Sequence, residues 1–512
     1  MRILGISKTE FVKSKVNILF LKTLIFGDVL ALILAISRFN YQWHSLYYTN
    51  DGFTVYSFLR NFINGFGTYE GPDAQYLLGV HSFITPLLLS PIIYIFKTPY
   101  VMGIIVISIY LISAYLISIL SRNHGLPRIY SYILGSMFFI QVFSDNGIDS
   151  KWLFQADLVV IPLIISLFIA AKNNNREYFL LSLFLIILTK EEFILWSLFL
   201  VPLSLLSSNS RFLLNIKDLL RIFFVYSFSS FVSIFTLIFY RSMNYRANGA
   251  RELSDMTSIA DINYASIIQH VFYPFTYLFV WILFSLGLLL ISNPNHKKNL
   301  ILCLVLAIFL ILIRLLVNSV VYGHASGASW STLSILSPAL ICTSIHFISA
   351  SYNFNSVLFQ RSITKLIFIG FTLTLIFGII FKHADFKMIS YQTSKTSNYS
   401  ILKNFKKYLP DQKPNNEYFL SEMNLMAPFM SRSHLNIWTP LTQGRGQIPN
   451  MNDFTQSEKK RLDTLVDNAS FAVLNKNLDA SIKMAEILIK SNWRSIEDES
   501  GKGYILFLPK SN

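Results

Sequence analysis

The chain has 512 residues, 53% hydrophobic and 14% charged, with a mean hydropathy of +0.48. That composition excludes an ordinary soluble globule and points to a polytopic membrane protein. The formal charge of +15 lies largely in short loops between apolar runs, so it fits the orientation of helices better than a nucleic-acid partner.

Residues 1–15 carry Arg2, Lys8, Lys13 and Lys15 against Glu10, which places this end in the cytoplasm by the positive-inside rule. The first apolar run, about 16–37, is followed by no small-residue cleavage site and reads as a retained helix. A large outer loop is expected over 38–98, with Asp51 near its head. Residues 54–63 have the spacing of an interfacial amphipathic helix. The run 80–96 contains His81, Pro86 and Pro91, and counting it as a crossing would invert every later loop. It therefore reads as a re-entrant or surface-lying piece.

Apolar runs follow at about 99–121, 129–143, 157–171, 178–189, 193–206, 222–240, 271–292, 299–319, 333–350 and 364–381. Runs near 20 residues suit a bilayer crossing, and helices satisfy their own backbone in lipid. Arg122 and Arg128, then Arg211, Lys217 and Arg221, then Arg361 and Lys365 fall in loops of one side. The acidic stretch 144–157, the Thr189–Glu192 turn and the mixed-charge loop 241–269 fall on the other. The expectation is an all-α polytopic bundle of about eleven transmembrane helices over 1–381. Residues 382–512 are not membrane-like. They read as a small extracytoplasmic α/β domain, with helices near 455–467 and 478–491 and strands at 471–475 and 504–508. Cys303 and Cys342 both lie in apolar runs, and no disulfide or zinc framework is visible.

This topology gathers Asp51, His81, Asp145, Asp149, Asp157, Lys190, Glu191, Glu192, Arg314 and His324 at the outer face. Ionisable groups at membrane ends are unfavourable unless paired or wet, so one polar cavity would account for them together. Thr189–Glu192 is the sharpest set, since it interrupts an apolar stretch from Phe179 to Leu206. Lys190 can neutralise a neighbouring glutamate, or hold a phosphate while a glutamate orients a hydroxyl. The plainer reading is a solvated interhelical turn. Asp51, between Asn50 and Gly52, suits a helix cap as well as a catalytic base. His81 and His324 suit simple interfacial hydrogen bonding, acidic outer loops such as that of Asp145 and Asp149 are common, and Arg314 can snorkel to the surface or grip a phosphate. No P-loop or dinucleotide glycine pattern occurs in a usable context, which argues against an ATP-driven pump.

Four stretches carry a resemblance: DGFTVYSFLRNFINGFG, LLGVHSFITPLLLSPIIYIF, FQADLVVIPLIISLFIAA and LFLIILTKEEFILW. LSEMNLMAPFMSRSHLNIW adds to it near the C-terminus. Together they resemble the bacterial membrane family DUF2079, which is similar in turn to the GT-C glycosyltransferases. Those include the oligosaccharyltransferase catalytic subunit, protein mannosyltransferases and the aminoarabinose transferase of lipid A. Where that family tends to have Phe-His-Pro-Glu, this chain has Phe154-Gln155-Ala156-Asp157, so the histidine is absent and the acid is shortened.

The resemblance implies a GT-C-like fold in the cell (inner) membrane and an inverting transfer from a polyprenyl-phosphate-linked sugar to an envelope glycan, lipid or protein. It implies Asp51 as the base and Lys190 with Arg314 on the donor phosphate; the charged turn itself adds Glu191 and Glu192 as catalytic candidates. His81, Asp145, Asp149, Asp157 and His324 would complete the substrate site, and residues 80–96 would help line a polyprenyl groove. No cofactor is certain, and use of a divalent cation is left open. Two other classes stay open: a transporter or flippase for a lipid-linked substrate, and a non-catalytic scaffold for envelope assembly.

Overall fold

The computed structural model describes residues 15–45, 51–65, 69–70, 75–79, 81–144, 156–208, 215–248, 301, 337–352, 364–365, 367, 369–372, 398–409, 418–421, 425, 429, 466–467, 469–477 and 479–509. The expected helices at 271–292 and 299–319 and the loop at 249–269 lie outside them.

Helix α1 spans Lys15–Ser45 and runs eight residues past the boundary expected at 37. Polar residues fill that extension, but Phe39 and Trp43 sit one turn apart and are buried. Both pack against Tyr100, Phe39 tilted at 4.6 Å and Trp43 edge-on at 5.4 Å between ring centroids, and this aromatic packing carries the helix through its polar end. Helix α2 covers Asp51–Ile63. The helix is where the spacing predicts one, but its apolar face is not interfacial. Tyr56, Phe58 and Leu59 are fully buried in protein.

A two-residue antiparallel pair, β1 Tyr69–Glu70 with β2 Gln75–Tyr76, leads into the region of the two prolines. There a 3-10 turn, Thr85–Leu89, runs directly into α3, Ser90–Phe96. Pro86 and Pro91 each stand in a first turn, where a missing N–H costs no helix bond. Lys97 closes α3 in the left-handed region. Twelve residues of mixed helix are too short to cross a bilayer by themselves.

The bundle proper comprises α4 Val101–Asn123, α5 Arg128–Ser144, α6 Val160–Lys172, α7 Arg176–Ile187, α8 Phe193–Ser208, α9 Ile216–Asn248 and α10 Ser337–Tyr352. Among the described residues, α4 and the Ile216–Met243 part of α9 are long and apolar enough to cross a membrane by themselves. Helix α9 continues through residues 241–248, where the sequence suggests a loop. Short connections make neighbours antiparallel: Gly125 turns α4 into α5 at φ +90°, and Asn175 caps α7 by accepting from Tyr178 N–H. Helices α4 and α5 approach closely at Gly135, where a β-carbon would stand 2.5 Å from the Ala114 carbonyl oxygen. Small residues at this crossing are what lets two apolar helices gain dispersion contact in lipid. Ser113, Ser118 and Ser121 return their hydroxyls to carbonyls one turn back, so none needs water.

The two ends of the bundle differ in charge. One gathers Arg122, His124, Arg128, Lys172, Arg176, Lys217 and Arg221, with Asp218 paired to Arg176 at 2.6 Å and near Arg221 at 3.8 Å. The other holds the start of α2, His81 and the turn Lys190–Glu192.

The C-terminal region forms a four-stranded sheet in the order β3-β4-β6-β5. Its strands are β3 Tyr418–Ser421, β4 Ala469–Asn475, β5 Arg494–Glu497 and β6 Tyr504–Leu508, with α12 Asp479–Lys490 packed on it. Strands β3 and β4 are parallel and the other pairs antiparallel. Strand β4 alternates: Ala472 and Leu474 meet Met484 and Leu488 in the core under α12, while Phe471 stacks on Phe419 at 4.8 Å. The second face continues through Phe405 and Leu402 into the core of the bundle. Helix α11, Asn398–Asn404, makes this link at the C-terminal end of α1, where Tyr399 meets Trp43 at 5.4 Å. The sheet thus sits at the end of the bundle that also carries His81.

Asp498 closes the turn between β5 and β6. Its carboxylate accepts from Tyr504 N–H at 2.6 Å, Lys502 N–H at 3.1 Å and the Ser500 hydroxyl. Burial pushes this carboxyl up, but the donors outweigh burial and hold it below the usual range. A depressed folded value stabilises above the unfolded value, about 3.9, and that stability is lost as pH falls through the folded one. Asp498→Ala is therefore expected to lower the opening free energy of β5–β6 amides by about 1–2 kcal/mol at neutral pH. Hydrogen exchange on the full chain reads this, and the difference should vanish in acid.

Candidate active site

The turn between α7 and α8 is built to be rigid. Thr189 is fully buried and donates its hydroxyl to Leu185 O at 2.8 Å. The carbonyls of Lys190, Glu191 and Glu192 accept from the N–H groups of Phe193, Ile194 and Trp196. These are the first donors of α8, which otherwise have no partner within their helix. The apolar residues on both sides anchor the turn, and the three charged side chains are what remains outside.

Residues 81–90 are fastened onto this turn. Leu188 O accepts from both Ile84 N–H at 3.0 Å and Thr85 N–H at 2.9 Å, and Thr85 Oγ1 donates to Leu185 O at 2.7 Å. Glu191 then binds the head of the segment through both oxygens. Oε1 lies 2.8 Å from His81 Nδ1, and Oε2 accepts from Ser82 N–H at 3.0 Å. Ser82 Oγ meets Ser233 Oγ of α9 at 2.6 Å in a buried contact. Beside them Lys190 Nζ pairs with Glu192 Oε1 at 2.8 Å, with both side chains mostly buried. The His81–Glu191 pair is more open, each side chain being a little over a quarter exposed.

Burial alone would push Glu191 up. The hydrogen bond and charge of His81, the Ser82 N–H and the charge of Lys190 outweigh it, and Glu191 is held below the usual carboxylate range. It is therefore an anion at neutral pH and only accepts. Its partner Nδ1 must then carry the hydrogen of this bond, which turns Nε2 away from Glu191 and leaves it as the ring nitrogen free of this contact. A carboxylate that fixes the tautomer and angle of an imidazole gives a ring nitrogen with a defined direction.

Two further stretches meet residues 81–96. Helix α2, which begins at Asp51, packs on both the 3-10 turn and α3. The turn Ala156–Val159, which contains Asp157, packs against Thr85–Leu89. Of the residues singled out in the sequence, the structure joins His81 to Glu191 and Lys190 to Glu192. It places Asp51 and Asp157 on backbone elements that border the same segment. Asp145, Asp149, Arg314 and His324 lie outside the described residues. The nearest partners of the two glutamates differ: His81 for Glu191 and Lys190 for Glu192. Thr85, Ser82 and Ser233 were not legible as site residues. Each is a single hydroxyl in an apolar run, with no pattern to mark it. Among the described residues no three His, Cys, Asp or Glu side chains gather so as to hold a metal ion. His81 and Glu191 spend their facing atoms on each other.

No protein-family model and no curated protein matches the chain, so the resemblance to DUF2079 rests on its short motifs alone. Solved structures do match. ArnT from Cupriavidus metallidurans in the apo state aligns with a TM-score of 0.52 at 9% identity, over 94% of this chain and 97% of that one. The same protein bound to undecaprenyl phosphate aligns with a TM-score of 0.52 at 10% identity, over 94% and 98%. The chain shares the ArnT fold. An Archaeoglobus fulgidus oligosaccharyltransferase is also matched, with a TM-score of 0.39 at 14% identity, over 87% of this chain and 67% of that one.

Proposed function

We propose that this protein is a membrane glycosyltransferase of GT-C type, with about eleven spanning helices and an extracytoplasmic C-terminal domain. It takes a sugar from a polyprenyl-phosphate donor and passes it to an envelope acceptor at the outer face of the cell membrane. The observation that carries the reading is the fastening of residues 81–90 onto the Lys190–Glu192 turn, at the end of an ArnT-like bundle where α2 begins. One of the two ArnT structures holds undecaprenyl phosphate, which is the class of carrier the reading requires.

In this reading Asp51 takes the proton of the acceptor hydroxyl as its oxygen attacks the anomeric carbon. The bond from that carbon to the phosphate oxygen breaks, and its electron pair leaves with the polyprenyl phosphate. The anomeric configuration inverts. Lys190 exchanges Glu192 for the donor phosphate and balances its growing charge, with Arg314 as a second cation. Glu191 holds His81, whose Nε2 accepts from a hydroxyl of the sugar or acceptor. Asp145, Asp149, Asp157 and His324 border the acceptor side, and Leu88, Tyr94 and Phe96, all exposed, offer the polyprenyl chain an apolar track.

The test is transfer from a radiolabelled polyprenyl-phosphate sugar in membranes that contain the chain, together with the envelope glycan profile of the host. Asp51→Asn is expected to lower transfer by about 10²–10⁴-fold, the range for loss of a general base, at an unchanged protein level. Lys190→Ala should remove the same glycan. An unchanged profile with both variants would leave Asp51 as a helix cap and overturn the proposal.

A further inference from the structure

Asp28 lies near the middle of α1, in a cavity of about 260 Å³ between α1, α4 and α5. Leu32, Ala114, Ser118, Tyr132 and Phe139 form much of its wall. Ser136 of α5 donates to Oδ2 of Asp28 at 2.7 Å. The other oxygen, Oδ1, is buried, and no donor among the described residues reaches it. Val29 and Tyr115, at the rim of the cavity, are 49% and 59% exposed. The cavity therefore opens sideways, through the flank of the bundle, where an apolar protein surface meets lipid.

A carboxylate oxygen in such surroundings is strongly unfavourable unless a donor meets it, and ionisable groups inside a membrane mark functional sites. The neighbouring Gly135 is what allows α5 to bring Ser136 against α1 and α4 at this depth. Drug-sized ligands occupy cavities of about 300–1,000 Å³, so this one fits the end of a chain rather than a whole lipid. We propose that it binds the donor-bearing end of a membrane-dissolved amphiphile, a hydroxyl or a primary ammonium, with Asp28 Oδ1 as the acceptor. The site does not depend on the transferase reading: its lining comes from α1, α4 and α5, whereas the His81 segment is fastened to the turn between α7 and α8.

The experiment uses the full-length protein in lipid nanodiscs with three photoreactive probes: diazirine-tagged decanol, decylamine and decane. Saturable labelling by the alcohol or the amine is expected on peptides that contain Tyr115 and Tyr132. Labelling by the alcohol alone assigns a neutral hydroxyl, and labelling by the amine alone assigns a cation; either supports the site. Asp28→Leu should weaken it about tenfold, the worth of one hydrogen bond to a charged group. Val29→Trp, which fills the rim and leaves the carboxylate in place, should do the same, and covers the case in which Asp28→Leu does not fold. Equal labelling by the decane probe, or labelling unchanged in both variants, would overturn the proposal. So would the absence of saturable labelling in the unaltered protein, since the cavity then takes water only.

Discussion

Glu191→Ala should reduce sugar transfer by about 10²-fold or more, the loss seen when a site loses a group that holds its electrostatics in place. The carboxylate accepts from both His81 and Ser82, so its removal strands two donors at once. Each stranded donor costs about 1–3 kcal/mol where water cannot replace the partner. The segment 81–90 keeps its bonds to Leu188 and Leu185, so the chain still folds while the imidazole loses its direction. Glu191→Gln separates the two contributions. The amide oxygen can still accept from Ser82 N–H, but no charge faces His81, and transfer should fall with little change in melting temperature. The depressed state of Glu191 sets the pH sign: its contribution is complete above the ordinary carboxylate value and fades as acid protonates it below that. Equal transfer by wild type and Glu191→Ala at matched protein levels would remove the pair from the site.

The second large effect concerns assembly. Gly135→Leu is expected to lower the yield of monodisperse protein after extraction and to reduce its melting temperature, and Gly135→Ala to do so less. The β-carbon of alanine already stands 2.5 Å from a backbone oxygen of α4, which cannot swing aside as a side chain can. Overpacking a tight contact costs about 1–3 kcal/mol for added methylenes, and leucine adds further carbons at the same point. Size-exclusion profiles and thermal melts in detergent measure both variants. Normal melting of Gly135→Leu would mean that α4 and α5 separate without penalty.

Much of the bundle was legible because lipid leaves few choices. An apolar run near spanning length must close its own backbone bonds, and basic loops settle on one side. The polar insertion at Thr189–Glu192 stood out for the same reason. Boundaries were less legible where packing overrides composition. Residues 38–45 look like loop but stay helical under Phe39, Trp43 and Tyr100, and 241–248 stay helical beyond the apolar run of α9. In the sheet, β4 and β6 show as apolar runs, while β3 and β5 are four residues each and take their shape from their neighbours. The pairing of His81 with Glu191 joins positions 110 residues apart. Nothing in either local pattern names the other, and only the docking of two backbones makes them partners.

A ribosome delivers this chain in one direction, and the Leu188 carbonyl comes late. Ile84 and Thr85 emerge about a hundred residues before the oxygen that receives their N–H groups, and Ser82 waits still longer for Ser233. During that interval α1 to α6 can insert and pair, since every partner in those contacts has already emerged, while residues 82–85 still lack the Leu188 and Ser233 side of their seat. The nascent protein would thus pass through a stage that is anchored in the bilayer but carries an unassembled loop, open to proteases and chaperones at that face. Truncation after α6 would freeze that stage, and truncation after α9 would release it.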